Sequence, residues 1–134
     1  MAGFFRLFSV AACPVEPRSF FRACHGLRLL LHAAGMEHHV YFWLKDAYQN
    51  PADRAVFEQG LAGLFEIGLV AGGRWAVPAK VVQRPVIDQS WTYALSMRFA
   101  TVVDHDAYQE DADHHAFINT FKEWWAKVLV MDLA

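Results

Sequence analysis

The chain has 134 residues, a length suited to one domain, and its 55% hydrophobic and 15% aromatic content is enough for a packed core, which excludes a disordered chain. Twelve basic residues against fourteen acidic ones give a formal charge of −2, with no Lys/Arg cluster after residue 35, so no nucleic-acid partner is expected. No apolar run approaches the roughly 20 residues of a membrane-spanning helix, so no membrane partner is expected either.

Residues 1–35 carry four arginines against Glu16 alone, whereas the remainder carries eight basic and thirteen acidic residues. That asymmetry sets the first 35 residues apart as an extension outside the domain. Val10-Ala11-Ala12-Cys13 resembles a lipoprotein signal, although its apolar stretch falls short of the usual ~7–15 residues, and an Arg-rich, acid-poor segment also resembles a transit peptide. The simpler expectation is that Met36 is the natural start, since it directly precedes the first strand and Gly35 breaks any helix before it. Leu27 to His32 has the pattern of a short amphipathic helix. Both cysteines, Cys13 and Cys24, fall in this extension, which leaves residues 36–134 with neither a disulfide nor a thiol nucleophile. A reducing, cytoplasmic setting is expected, with targeting by residues 1–35 as the alternative.

The domain proper, 36–134, opens on His38 to Lys45, a β-branched and aromatic run read as a strand. Asn50-Pro51-Ala52-Asp53 starts a helix: Asn50 caps, Pro51 occupies the first helical position and Asp53 favours the positive end. Phe57, Leu61, Leu64 and Gly68 then mark one apolar stripe, with Gly60 and Gly63 allowing close approach to a sheet, and Gly68 with Gly72-Gly73 ending the segment. A second strand is expected over Arg74 to Val77, a loop over 79–88, and a third strand from Trp91 to Phe99. Thr101 and Asp104 have capping-box spacing and open a short helix through Tyr108. A further helix carries Phe117, Phe121, Trp124 and Val128, and Lys127 to Leu133 closes the chain as a fourth strand. The order strand, helix, strand, strand, helix, strand is the split βαβ, ferredoxin-like α+β plan: a four-stranded antiparallel sheet with helices on one face.

Val40 to Leu44 and Val128 to Met131 are apolar at every position, although a sheet covered on one side should alternate. Both faces of these strands want cover, and the helices supply only one. A second subunit's sheet, packed about 10 Å away, is the simplest cover, so a homodimer is expected.

His38, Val40, Phe42, Leu44, Lys45 and Asp46 form a His-led strand ending in Lys-Asp. The Tyr93–Phe99 strand, Asp106-Ala107-Tyr108-Gln109, His114 six residues after that Tyr, then Phe117 and finally Asp132 follow in order. With this series the segment 36–134 resembles the stress-responsive dimeric α/β-barrel (Dabb) family. Two departures are visible: Asp111-Ala112 stands where the family commonly has His-Pro, and His115 is added beside His114. The resemblance implies a dimeric α/β barrel with a small pocket between each sheet and its helices. It also implies, from a plant branch that cyclises a polyketide by aldol-type chemistry, acid–base roles for the residues at Tyr108 and His114. No cofactor is implied.

Tyr108 and His114 are the candidate catalytic pair, because a neutral imidazole can take a proton α to a carbonyl while a phenol steadies the enolate. The plainer roles are a helix-orienting His114 and a packed Tyr108 whose hydroxyl bonds to backbone. His38, Phe42, Trp91 and Phe117 are the candidate ligand contacts, with a bond across the sheet as the simpler role for His38. His38-His39, His105 and His114-His115 invite a metal reading, but adjacent histidines on a strand point to opposite faces and no HExxH or Cys/His spacing occurs, so no metal site is expected. The acidic group Asp104, Asp106, Glu110, Asp111 and Asp113 is read as a solvated face that benefits from the helix dipoles. The expected function is a stress-responsive homodimer that binds a small apolar or carbonyl-containing ligand. An acid–base enzyme of the cyclase, lyase or isomerase kind is the alternative, and a purely structural dimer the third.

Overall fold

A computed structural model describes residues 35–134 of the chain. The expectations of a targeting signal, an upstream extension and a helix within residues 1–34 lie outside the described residues. Seven main elements follow one another: β1 (Met36–Leu44), α1 (Pro51–Leu64), β2 (Gly72–Ala76), β3 (Tyr93–Phe99), α2 (Val102–Gln109), α3 (Ala112–Phe121) and β4 (Trp125–Leu133). The strands form one sheet in the order β2-β3-β1-β4, antiparallel throughout. This is the ferredoxin-like α+β fold, with the helices packed on one face of the sheet.

Local chemistry explains the helix starts. The Asn50 side chain accepts the Asp53 backbone N–H at 3.0 Å, and Thr101 Oγ1 accepts that of Asp104 at 3.1 Å. Asp111 caps α3 through the Asp113 N–H at 2.8 Å, so part of the acidic group serves the helix starts. Alternation then fixes the faces. Met36, His38, Val40, Phe42 and Leu44 of β1 are buried beneath the helices, as are Tyr93, Leu95, Met97 and Phe99 of β3. Phe57 of α1 lies at the centre, its ring 5.4 Å from that of Phe42, 5.3 Å from Tyr93 and 5.1 Å from Phe121.

Several boundaries differ from the sequence expectation. Helix α1 stops at Leu64 instead of reaching Gly68, because Phe65 and Glu66 donate to Ala62 and Gly63 in i→i+3 bonds that tighten and end it. Ile67, in the turn beyond, supplies the buried contact expected near Gly68. Gly60 faces Phe121 of α3, not the sheet, and Gly63 faces open space. Gly72 and Gly73 lie inside β2 and not before it; at φ +147° Gly73 sits against the Ser96 carbonyl and Met97 Cα, where no Cβ fits. The last helical stripe is split: Phe117 and Phe121 are on α3, Trp124 on a 3-10 turn over Lys122–Trp124, and Val128 on β4 opposite Phe42. The Trp124 carbonyl accepts from Lys45 N–H at 2.9 Å, and the chain from Trp125 onward pairs with β1, which ends the helix sooner than spacing alone suggests.

Candidate functional site

The antiparallel register of β1 with β4 sets His38 opposite Asp132, Val40 opposite Val130 and Phe42 opposite Val128. These side chains point to the helix side, where α2 and α3 close over them and leave a cavity of about 250 Å³. Val40, Phe42, Leu64, Leu95, Phe117, Ile118, Trp125, Val128 and Val130 make most of its wall apolar, and His38, His105, Tyr108, Gln109, His114 and Asp132 supply the polar groups. Such a distribution, an apolar wall with a few convergent polar groups, is the usual character of a small-molecule site.

Tyr108 lies on the last turn of α2 and His114 on the first turn of α3, and the tight junction between them packs the rings together, centroids 4.4 Å apart and planes tilted by 34°. His114 Nδ1 donates to the Gln109 carbonyl at 3.3 Å, which leaves the lone pair on Nε2. Burial lowers the His114 pKa below its ordinary value and outweighs the carbonyl hydrogen bond that raises it. Burial, helped by the Asp111 carboxylate, raises that of the Tyr108 phenol. The pair is thus a neutral imidazole beside a phenol that keeps its proton, the forms suited to a base and a hydrogen-bond donor.

His38 Nδ1 donates to Asp132 Oδ1 at 2.6 Å, a bond across two strands that orients the ring. Burial lowers the His38 pKa, and the Asp132 hydrogen bond and charge oppose that shift. The His38 ring lies 6.2 Å from that of Tyr108, so this dyad and the Tyr108–His114 pair share one cavity.

Of the expected ligand contacts, His38, Phe42 and Phe117 line this cavity, and Trp91 does not. Trp91 stands on the opposite face of the sheet with Tyr41, Trp43, Leu129 and Met131 around a shallow depression, its ring 5.5 Å from that of Tyr41. The reason is that β3 begins at Tyr93: Trp91 precedes the ladder, its indole N–H is held by the Asp88 carbonyl at 3.0 Å, and strand alternation does not extend to it. The loop before β3 therefore reaches the outer face of the sheet, where Ser90 Oγ also accepts from Trp43 Nε1 at 2.8 Å.

From the sequence Gln109 is not expected at the site, His105 is weighed only as a metal ligand and set aside, and Trp125 is weighed only among the aromatics more simply read as core or interface. His105 stands one helical turn before Tyr108, and that i, i+3 spacing was the signal for it. Asp132 entered only through the resemblance, and its place opposite His38 follows from strand register. The indole N–H of Trp125 is buried without a hydrogen-bond partner.

Residues 36–134 match the profile of the stress-responsive A/B barrel domain. The chain belongs to the Dabb family. No curated protein matches it significantly. Among solved structures, a Dabb protein with a ferredoxin-like fold from Mesorhizobium loti is 24% identical, with a TM-score of 0.60 over 75% of this chain and 95% of that one. A dimeric ferredoxin-like protein of unknown function from Thermobifida fusca is 16% identical, with a TM-score of 0.61 over 77% of this chain and 92% of that one. The hydroxynitrile lyase of Passiflora edulis is 16% identical, with a TM-score of 0.64 over 75% of this chain and 93% of that one. At these identities the likeness is one of fold. Among the described residues no helix is long and apolar enough to cross a membrane.

Proposed function

We propose that this Dabb protein is a homodimer that holds a small, largely apolar, carbonyl-containing ligand between sheet and helices. The observation that carries the reading is the cavity of about 250 Å³, whose apolar wall is interrupted by the Tyr108–His114 pair and the His38–Asp132 dyad. That volume lies just under the roughly 300–1,000 Å³ of drug-sized sites, which favours a compact ligand. Phe42 and Phe117 offer apolar surface, and Tyr108 offers a hydrogen bond to the carbonyl oxygen. Dimerisation is supported by the outer sheet face, where Tyr41, Trp43, Leu129 and Met131 gather on the side away from the helices. A dimeric relative of the same fold in Thermobifida fusca points the same way.

A second reading, acid–base catalysis, is favoured by the protonation forms of the Tyr108–His114 pair. His114 Nε2 would take a proton from the carbon α to the carbonyl, and Tyr108 would donate a hydrogen bond to the oxygen as enolate charge develops. The imidazolium would then return the proton to carbon or to a leaving group. A hydroxynitrile lyase shares the fold, so the architecture accommodates an enzyme.

One experiment separates the two. Pentane-2,4-dione in D₂O is followed by NMR for α-proton exchange and for binding, with wild type, His114→Ala and Tyr108→Phe. Catalysis predicts accelerated exchange that His114→Ala removes while the melting temperature stays nearly constant. Binding without exchange retains the ligand reading alone. Failure to bind this probe, together with no ligand carried by the natively purified protein in mass spectrometry, overturns both.

A further inference from the structure

We infer that His38, His105 and Asp132 form a binding site for one divalent transition-metal ion, of the Zn²⁺ class, in the wall of the cavity. Two histidines and a carboxylate arrive from three elements, β1, α2 and β4, and one ligand atom from each lies within 4.8 Å of the other two. His105 Nε2 is 3.9 Å from Asp132 Oδ1, and His38 Nδ1 is 2.6 Å from the same oxygen. Bonds of about 2.0–2.2 Å at a tetrahedral centre set ligand atoms about 3.3 Å apart, between these two spacings. Asp132 closes the difference, since its side chain is 41% exposed on the edge strand and is free to swing toward His105.

Two further features point to a ligating His105. Its Nδ1 donates to Asp106 Oδ1 at 3.2 Å, and Gln109 Nε2 donates to its Nε2 at 3.1 Å. Together these place the proton on Nδ1 and the lone pair on Nε2, 3.9 Å from Asp132 Oδ1, where an incoming ion takes the place of the Gln109 N–H. A carboxylate holding the non-ligating ring nitrogen is the usual outer support of a metal-bound histidine. His38 is similarly poised: an ion replaces the proton that its Nδ1 now shares with Asp132. Two imidazoles and one carboxylate suit Zn²⁺ or Fe²⁺ far better than Mg²⁺ or Ca²⁺, which prefer all-oxygen shells. Three protein ligands leave a position on the cavity side for water or for a ligand oxygen. This inference stands independently of any catalytic role for Tyr108 and His114.

The test uses the untagged full-length chain carrying Cys13→Ser and Cys24→Ser, so that those thiols do not compete. Zn²⁺ is titrated by calorimetry, and Co²⁺ by visible absorption, which reports coordination geometry. One ion per chain is expected, with binding lost in His105→Leu and in Asp132→Asn, the melting temperature of each apo variant checking that the fold is kept. Asp106→Asn should weaken binding by roughly 10–100-fold. Tyr108→Phe and His114→Ala should leave it unchanged, so failure of the acid–base reading does not bear on the result. No Zn²⁺ binding, or binding that persists in both His105→Leu and Asp132→Asn, overturns the inference.

Discussion

Gly60 and Gly63 stand three residues apart in α1, and replacing each by alanine should move stability in opposite directions. An alanine in place of glycine in a helix interior gains about 1 kcal/mol of propensity. At Gly63 a new Cβ meets nothing within 4 Å, so Gly63→Ala should keep most of that gain, about 0.5–1 kcal/mol. At Gly60 the same Cβ runs into the Phe121 ring edge, lies 2.9 Å from Phe121 Cζ and 3.2 Å from Phe117 Cε2. Phe121 cannot simply swing aside, because the rings of Phe57, Phe117 and Trp124 stand 5.0–5.1 Å from it. Overpacking of this kind costs about 1–3 kcal/mol, which leaves Gly60→Ala with a net loss of about 1 kcal/mol. The two variants should thus differ by about 2 kcal/mol, or about 8–16 °C in melting temperature for a domain of this size. Thermal unfolding followed by circular dichroism measures the gap, and Phe121→Leu added to Gly60→Ala should recover part of it. If Gly60→Ala melts at or above Gly63→Ala, the packing between α1 and α3 is looser than these contacts require.

His38 and His114 both have pKa values lowered in the fold, chiefly by burial. The unfolded chain therefore binds protons first as pH falls, and stability that is complete above about pH 6.5 should decline below it toward the depressed folded values. Melting temperatures between pH 8 and pH 5 should show this fall, and His114→Gln should make it shallower; a flat profile would count against neutral buried imidazoles. The unpartnered Trp125 indole N–H gives a third expectation. Trp125→Phe removes a buried donor whose desolvation costs about 1–3 kcal/mol, which offsets most of the lost ring volume, so the net change should stay within about 1 kcal/mol in chemical denaturation. A loss above about 3 kcal/mol, the scale of a large-to-small core change, would mean that the lost packing outweighs the relief of the buried donor.

Sequence alone determined the elements whose signals are local. Asn50-Pro51 and Thr101-x-x-Asp104 start helices because their side chains satisfy the first backbone N–H groups, whatever the rest of the chain does. The two-residue period of a strand put His38, Val40, Phe42 and Leu44 on one face, and the short interval between Tyr108 and His114 placed them at a helix junction. The order of the elements then led to the ferredoxin-like plan. Tertiary structure decided what depends on partners distant in the chain. Helical spacing through Trp124 and Val128 could not reveal that pairing with β1 begins at Trp125, nor could the apolar run at Trp91 reveal that β3 starts two residues later. Gly60 needed Phe121, and Gly73 needed Ser96, before the reason for either glycine was visible. The meeting of His38, His105 and Asp132 is the clearest case, since 94 residues separate its outer members and only strand register brings them together. Local rules state which groups want a partner, and the packed sheet and helices decide which partner each one meets.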